Sequence, residues 1–77
     1  MAELALTKEP TKIEITDDLA RRRLTLAVAK GGAKVLVSDS PSMDPLLVQI
    51  GAGESASIVA ETHLYARSLG ESKLTIS

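Results

Sequence analysis

Turn-forming residues recur through this chain about every eight to twelve residues, and between them apolar and polar side chains alternate. That punctuation leaves no stretch long enough for a crossover helix, so the strands it creates must pair mainly antiparallel. Alternation marks Lys12–Thr16, Ala33–Ser38, Leu46–Ile50, Ser55–Ala60, His63–Ser68 and Ser72–Ser77. Asp17-Asp18, Gly31-Gly32, the polar run Asp39–Pro45, Gly51–Glu54, Glu61-Thr62 and Leu69–Glu71 separate them. Two of these segments frame the rest: the glycine-bracketed turn that opens into Ser55–Ala60, and the strand from His63 that carries the only tyrosine.

Leu19–Lys30 admits two readings. Leu19, Ala20, Leu24, Ala27 and Val28 share one helical face, with Asp17 or Asp18 as N-cap and Gly31 as C-cap. Leu24, Leu26 and Val28 also alternate as a strand requires, and the run leads through Gly31-Gly32 into another strand. We read a strand over Arg23–Ala29 forming a hairpin with the next one.

The expected fold is all-β: a small, mainly antiparallel β-sandwich or barrel of about seven short strands, occupying residues 12–77 as a single domain. Its inward set is Ile13, Ile15, Leu24, Leu26, Val28, Val35, Val37, Leu46, Val48, Ile50, Ala56, Ile58, Ala60, Leu64, Ala66, Leu74 and Ile76, with no polar member. Residues 1–11 read as an extended N-terminal arm. Pro10 interrupts any continuation of its alternation, so Leu4 and Leu6 stand free to pack on a neighbouring subunit and the sandwich does not need them for its own core.

Size and composition point to an assembly. Seventy-seven residues with no cysteine, no Phe, no Trp and one Tyr must build a core from aliphatic side chains alone. A domain this small without disulfides or a thiolate-bound metal gains stability by associating with copies of itself or with something larger. Nine basic against ten acidic residues give a net charge of -1, which supplies no field for nucleic acid or an anionic membrane. No apolar run has the length of a membrane span, and the N-terminus lacks the layout of a signal peptide.

No catalytic or cofactor pattern appears. His63 is the only histidine, so no histidine pair exists for a metal or a proton relay. Gly51-Ala52-Gly53 is followed by no Lys-Ser/Thr and no helix start, so both glycines read as turn residues needing positive φ rather than as a phosphate loop. Asp39 and Asp44 lack the spacing of a calcium loop and read as turn chemistry. We expect no enzyme and no cofactor. The candidate interface residues are Leu4 and Leu6 in the arm, the basic cluster Arg21, Arg22 and Arg23, the outward apolar Leu36, Leu47 and Val59, and the His63, Tyr65, Arg67 stripe, whose residue types are enriched at binding hot spots.

A resemblance rests on Leu24-Thr25-Leu26, Lys34-Val35-Leu36-Val37, Leu47-Val48, Gly53-Glu54-Ser55, Leu64-Tyr65-Ala66-Arg67-Ser68, and Gly70 with Lys73-Leu74-Thr75-Ile76. In this order the segments resemble the small all-β virion structural proteins of tailed bacteriophages, over about residues 21–77. The resemblance implies a β-sandwich used as a structural part of the head or tail, and we read the chain as a decoration protein located in the virion, bound to the outside of the capsid and stabilising it. Its partners would be the major capsid protein or other virion proteins, and copies of itself as a homo-oligomer, with no nucleic acid and no membrane. A tail or head-fibre component and a free-standing small binding module are the alternatives.

Overall fold

The computed structural model describes residues 2–77, with Ala2 described by its backbone alone. Eight strands run β1 (Ala2–Leu6), β2 (Thr11–Glu14), β3 (Arg23–Val28), β4 (Val35–Ser38), β5 (Leu46–Ile50), β6 (Ser55–Val59), β7 (His63–Ser68) and β8 (Ser72–Ile76). Among the described residues there is no helix. At the ambiguous segment the strand prevails: Leu19 and Ala20 donate to the Thr16 carbonyl in a single turn, and Arg23–Val28 is extended. Six extended residues bury Leu24, Leu26 and Val28 on one sheet face and pair with β6 on one side and β8 on the other.

The strands form two four-stranded sheets of order β1-β8-β3-β6 and β2-β7-β4-β5, every pairing antiparallel. Four pairings, β1 with β8, β2 with β7, β3 with β6 and β4 with β5, describe one long hairpin folded back at the Asp39–Pro45 loop. Rolling that hairpin adds the β3–β8 and β4–β7 contacts and alternates successive strand pairs between the sheets. This is a jelly roll, a sandwich of two interlocked Greek keys.

The topology corrects four expectations. Arg23–Ala29 and Ala33–Ser38 are not a hairpin, because β3 and β4 lie in different sheets and Gly31-Gly32 carries the chain across the sandwich. The framing pair β6 and β7 is likewise split between the sheets. The N-terminal arm is a strand: Ala2–Leu6 pairs residue by residue with β8, Leu6 is 2% exposed, and Leu4 packs against the core. Pro10 falls after β1, in the connection to β2, and so interrupts no ladder; Met1 lies outside the described residues. Finally, Leu46 is exposed, because a register shift between Val37 and Ser38 sets it opposite Ser38.

Between the sheets lies one aliphatic core that includes Leu6, Ile13, Leu24, Leu26, Val35, Val37, Ile50, Leu64, Leu74 and Ile76. Val48, Ala56 and Ile58 only pack against its margin, since β5 and β6 are the sheet edges. The inward faces are not wholly apolar. Ser68 and Ser72 lie on them, and Ser38 is buried on the other face, opposite Tyr65. Ser38 Oγ donates to the Pro45 carbonyl at 2.8 Å and Ser68 Oγ to the Gly70 carbonyl, while Ser72 Oγ has no partner among the described residues. The two bonds satisfy hydroxyls that would otherwise be desolvated without a partner.

Of the two glycines expected at positive φ, Gly53 (75°) has it and Gly51 does not; Gly31 (82°) joins Gly53 instead. Both stand where the chain leaves one sheet for the other, a reversal that suits a residue without Cβ. Gly32 is confined by space. A Cβ there would stand 2.6 Å from Ser72 Oγ and 3.3 Å from the Ala29 carbonyl oxygen. Gly32→Ala is therefore expected to destabilise the domain by about 1–3 kcal/mol, the usual cost of overpacking. Thermal unfolding reads this as a midpoint drop of roughly 4–8 °C per kcal/mol. An unchanged midpoint would mean that the loop moves aside freely.

Candidate functional site

Alternation along β7 sends Leu64, Ala66 and Ser68 inward and leaves His63, Tyr65 and Arg67 half-buried on the outer face of the second sheet. Cross-strand register adds neighbours to this stripe. Glu14 stands opposite His63, Lys12 opposite Tyr65, and Leu36 opposite Arg67, with Gln49 beyond Leu36. Lys12 and Glu14 are joined by an exposed ion pair at 3.3 Å, which contributes little to stability. The His63 and Tyr65 rings meet edge to face, centroids 5.4 Å apart at 81°. Such pairs contribute about 0.5–1.5 kcal/mol beyond area burial and hold both rings in place.

His63 is tethered at both nitrogens. Nε2 lies 3.3 Å from the Asp39 carbonyl oxygen, which can only accept, so the neutral ring carries its proton there. Nδ1 then accepts from the Thr62 hydroxyl at 2.9 Å. The histidine thus pins the start of β7 to the loop that follows β4. Arg67 differs: its Nε is shielded from solvent and has no hydrogen-bond partner within the protein. Its stem packs on the sheet and its charge is uncommitted to any salt bridge among the described residues.

A second cluster lies on the side of the sandwich where edge strands β5 and β6 touch. Leu47 (46% exposed) and Val59 (55% exposed) face one another across an open recess of about 330 Å³. His63, Thr62, Glu61 and Asp39 line its polar wall. Arg21–Arg23 flank this side. The Arg21 N–H donates to the Ala60 carbonyl at 2.8 Å, Arg23 pairs with Val59, and Arg22 Nη1 donates to the Asp18 carbonyl at 2.9 Å. Arg21 adopts a φ of 61°, so the basic cluster begins on a left-handed residue rather than inside the strand. The Asp18 carboxyl is held below its ordinary range, first by the Thr16 hydroxyl and then by its own backbone N–H.

The structure therefore brings Leu36, His63, Tyr65 and Arg67 together on one face and Leu47 and Val59 together on another, with His63 at the border. It does not bring Leu4 or Leu6 to either, since both belong to the first sheet and its core. Sequence reasoning missed Leu46 (37% exposed), which extends the apolar rim beside Leu47. It also missed that on the outer face of the first sheet Arg23 and Val59 share a surface with Glu3, Ala5, Thr25, Ala27, Ser55, Ser57, Lys73 and Thr75. The alternation signal was present for that face, but which strands share it depends on pairing.

Among the described residues no group of His, Asp and Glu side chains is placed to hold a metal ion, and no helix is long and apolar enough to cross a membrane. Comparison with protein-family models, with curated proteins and with solved structures gives no match to this chain.

Proposed function

We propose that this chain is a virion structural protein of a tailed bacteriophage, a decoration protein that binds the outside of the capsid and stabilises it. The observation that carries the reading is the outer face of β7. A rigid Tyr–His pair stands beside Arg67, whose Nε is shielded and unpartnered, and Leu36 provides apolar area next to it. Tyr and Arg set against apolar surface are the residues that dominate protein–protein binding energy. Jelly rolls recur in viral capsid proteins, which supports the reading at the level of fold analogy.

The mechanism is linkage. A protein that binds the assembled shell and not the free capsid subunits shifts the equilibrium toward the shell in proportion to its occupancy. Many copies on one shell multiply a modest contact at each site. Neither an enzymatic step nor a cofactor enters, and the partner is the major capsid protein.

Co-sedimentation with shells assembled from the major capsid protein of the proposed phage tests the reading. The full chain is expected to pellet with the shells, and Tyr65→Ala and Arg67→Ala are each expected to weaken binding by about thirtyfold or more, the size of a hot-spot truncation of roughly 2 kcal/mol. Arg22→Ala, in the β2–β3 connection and off the β7 face, should bind as the parent does. A chain that stays in the supernatant removes the capsid reading. It would leave the free-standing binding module, for which the Leu47–Val59 recess is the site to probe.

A further inference from the structure

We infer that β6 is a self-complementary edge through which two copies of this chain pair in antiparallel fashion, about a two-fold axis at Ser57. Ladder geometry identifies the groups involved. Thr25 exchanges both backbone bonds with Ser77, on the β8 side of β3, at 2.9 and 3.0 Å. On the other side the Val28 N–H donates to the Glu54 carbonyl and the Val28 carbonyl accepts from the Gly53 N–H, both at 3.0 Å. Antiparallel strands direct alternate residues to opposite neighbours. Leu24 and Leu26 therefore bond to their β6 partners Ile58 and Ala56. Ser55, Ser57 and Val59 are left with N–H and C=O aimed out of the sheet edge.

Those three positions match their own reversed copy. With Ser57 opposite the second copy's Ser57, Ser55 meets Val59 and Val59 meets Ser55, so every outward backbone group finds its counterpart. Ala56 then faces Ile58 on the inner side, covering apolar surface that is only partly buried in one copy. The first sheet becomes one continuous sheet across the axis.

Charge selects a second copy as the occupant. Neither β6 (Ser-Ala-Ser-Ile-Val) nor the neighbouring edge β5 (Leu-Leu-Val-Gln-Ile) carries a charge. The opposite edges do, with Glu3 on β1 and Lys12 and Glu14 on β2. Charged residues on edge strands are a common protection against pairing, and the β5–β6 side lacks them. In the Ser57-centred register Glu54 faces Ala60, so the carboxylates that flank β6 do not oppose one another. The second copy's Glu61 comes opposite Gly53. Lys30 lies over that glycine, its Cγ 3.1 Å from where a Gly53 Cβ would be. Each copy thus offers an ammonium to the other's carboxylate at both ends of the pairing.

This inference goes beyond the capsid binding proposed above and gives a structural form to the self-association expected from the sequence; it is tested without any shell, so its failure leaves capsid binding untouched. Sedimentation equilibrium of the full chain from micromolar to millimolar concentration is expected to show a monomer–dimer equilibrium. Ser57→Pro removes only an N–H that faces the open edge, where proline is tolerated in a strand. Ser57→Lys keeps the backbone and places two like charges on the axis. Each is expected to weaken dimerisation at least about tenfold while circular dichroism stays that of the parent. A register-specific check uses the absence of cysteine from the chain. Ser57→Cys sets two thiols about 5.5 Å apart between Cα atoms, within disulfide range, and should oxidise to a covalent dimer. Thr25→Cys, exposed on the same face but one strand further in, should not. A parent that is monomeric throughout, folded Ser57 variants that still dimerise, or equal cross-linking of the two cysteine variants would each overturn the assignment.

Discussion

Deleting Met1–Thr7 is expected to leave the isolated chain unfolded at 25 °C. The deletion removes the edge strand β1, whose residues Ala2–Leu6 pair with the whole of β8. It takes Leu6 out of the core and Leu4 off its margin, and it removes the Thr7 carbonyl that accepts the Ser68 N–H at 2.8 Å. Two leucines contribute about 3–6 kcal/mol by burial, and β8 becomes a new edge with Leu74 and Ile76 at its flank. A domain of this size commands a total stability near the low end of about 5–15 kcal/mol, so the loss is comparable to the whole. Far-UV circular dichroism and amide dispersion in a proton–nitrogen correlation spectrum are the measurements. A truncated chain with a cooperative melt within a few degrees of the parent would return Leu4 and Leu6 to the status of a dispensable arm. The same substitution logic in miniature applies to Leu6→Ala, which should still fold but melt well below the parent.

Leu26→Ala is expected to cost about 2–5 kcal/mol in denaturant-induced unfolding. Leu26 is completely buried in β3, an interior strand, with Ile76 opposite it on one side and Ala56 on the other. The single tyrosine lies on an outer face, so the core is aliphatic and no ring is at hand to slump into the space vacated. Thr25→Ala, one residue away and exposed, should change stability by no more than about 0.5 kcal/mol. Ile58→Ala falls between them, because β6 is an edge strand and Ile58 keeps part of its surface in water. Equal losses at positions 25 and 26 would show that the two faces of β3 are both solvated or both packed, and the sandwich would not stand.

The candidate interface divides along the same line between local pattern and long-range pairing. The His63, Tyr65, Arg67 stripe was legible because residues two apart on a strand share a face whatever the strand pairs with. That Leu36 joins it depends on β4 lying next to β7, with β5 and β6 between them in the chain, and only the register Leu36 to Arg67 establishes it. Leu47 and Val59 were read as separate outward residues. They meet because β5 and β6 are edges of different sheets on the same side of the roll. Leu46 was misread as inward because alternation with Val48 and Ile50 has no way to register the irregularity on the neighbouring strand that shifts it.

The sequence by itself determined the strands from β2 onward, the turns between them and, within those strands, which apolar side chains face inward, Leu46 aside. These are local properties: side chains alternate with period two, and turn chemistry acts over a few residues. Only the tertiary structure decided which sheet each strand joins. The turn at Gly31-Gly32 has the composition of a hairpin and instead carries the chain across the sandwich, because β3 takes its ladders from β8 and β6 while β4 takes its own from β7 and β5. The same reason turns the N-terminal leucines from an arm into a strand. β8 presents an open edge that residues 2–6 are the right length to cover, and no local signal near Leu4 or Leu6 records a partner about seventy residues away.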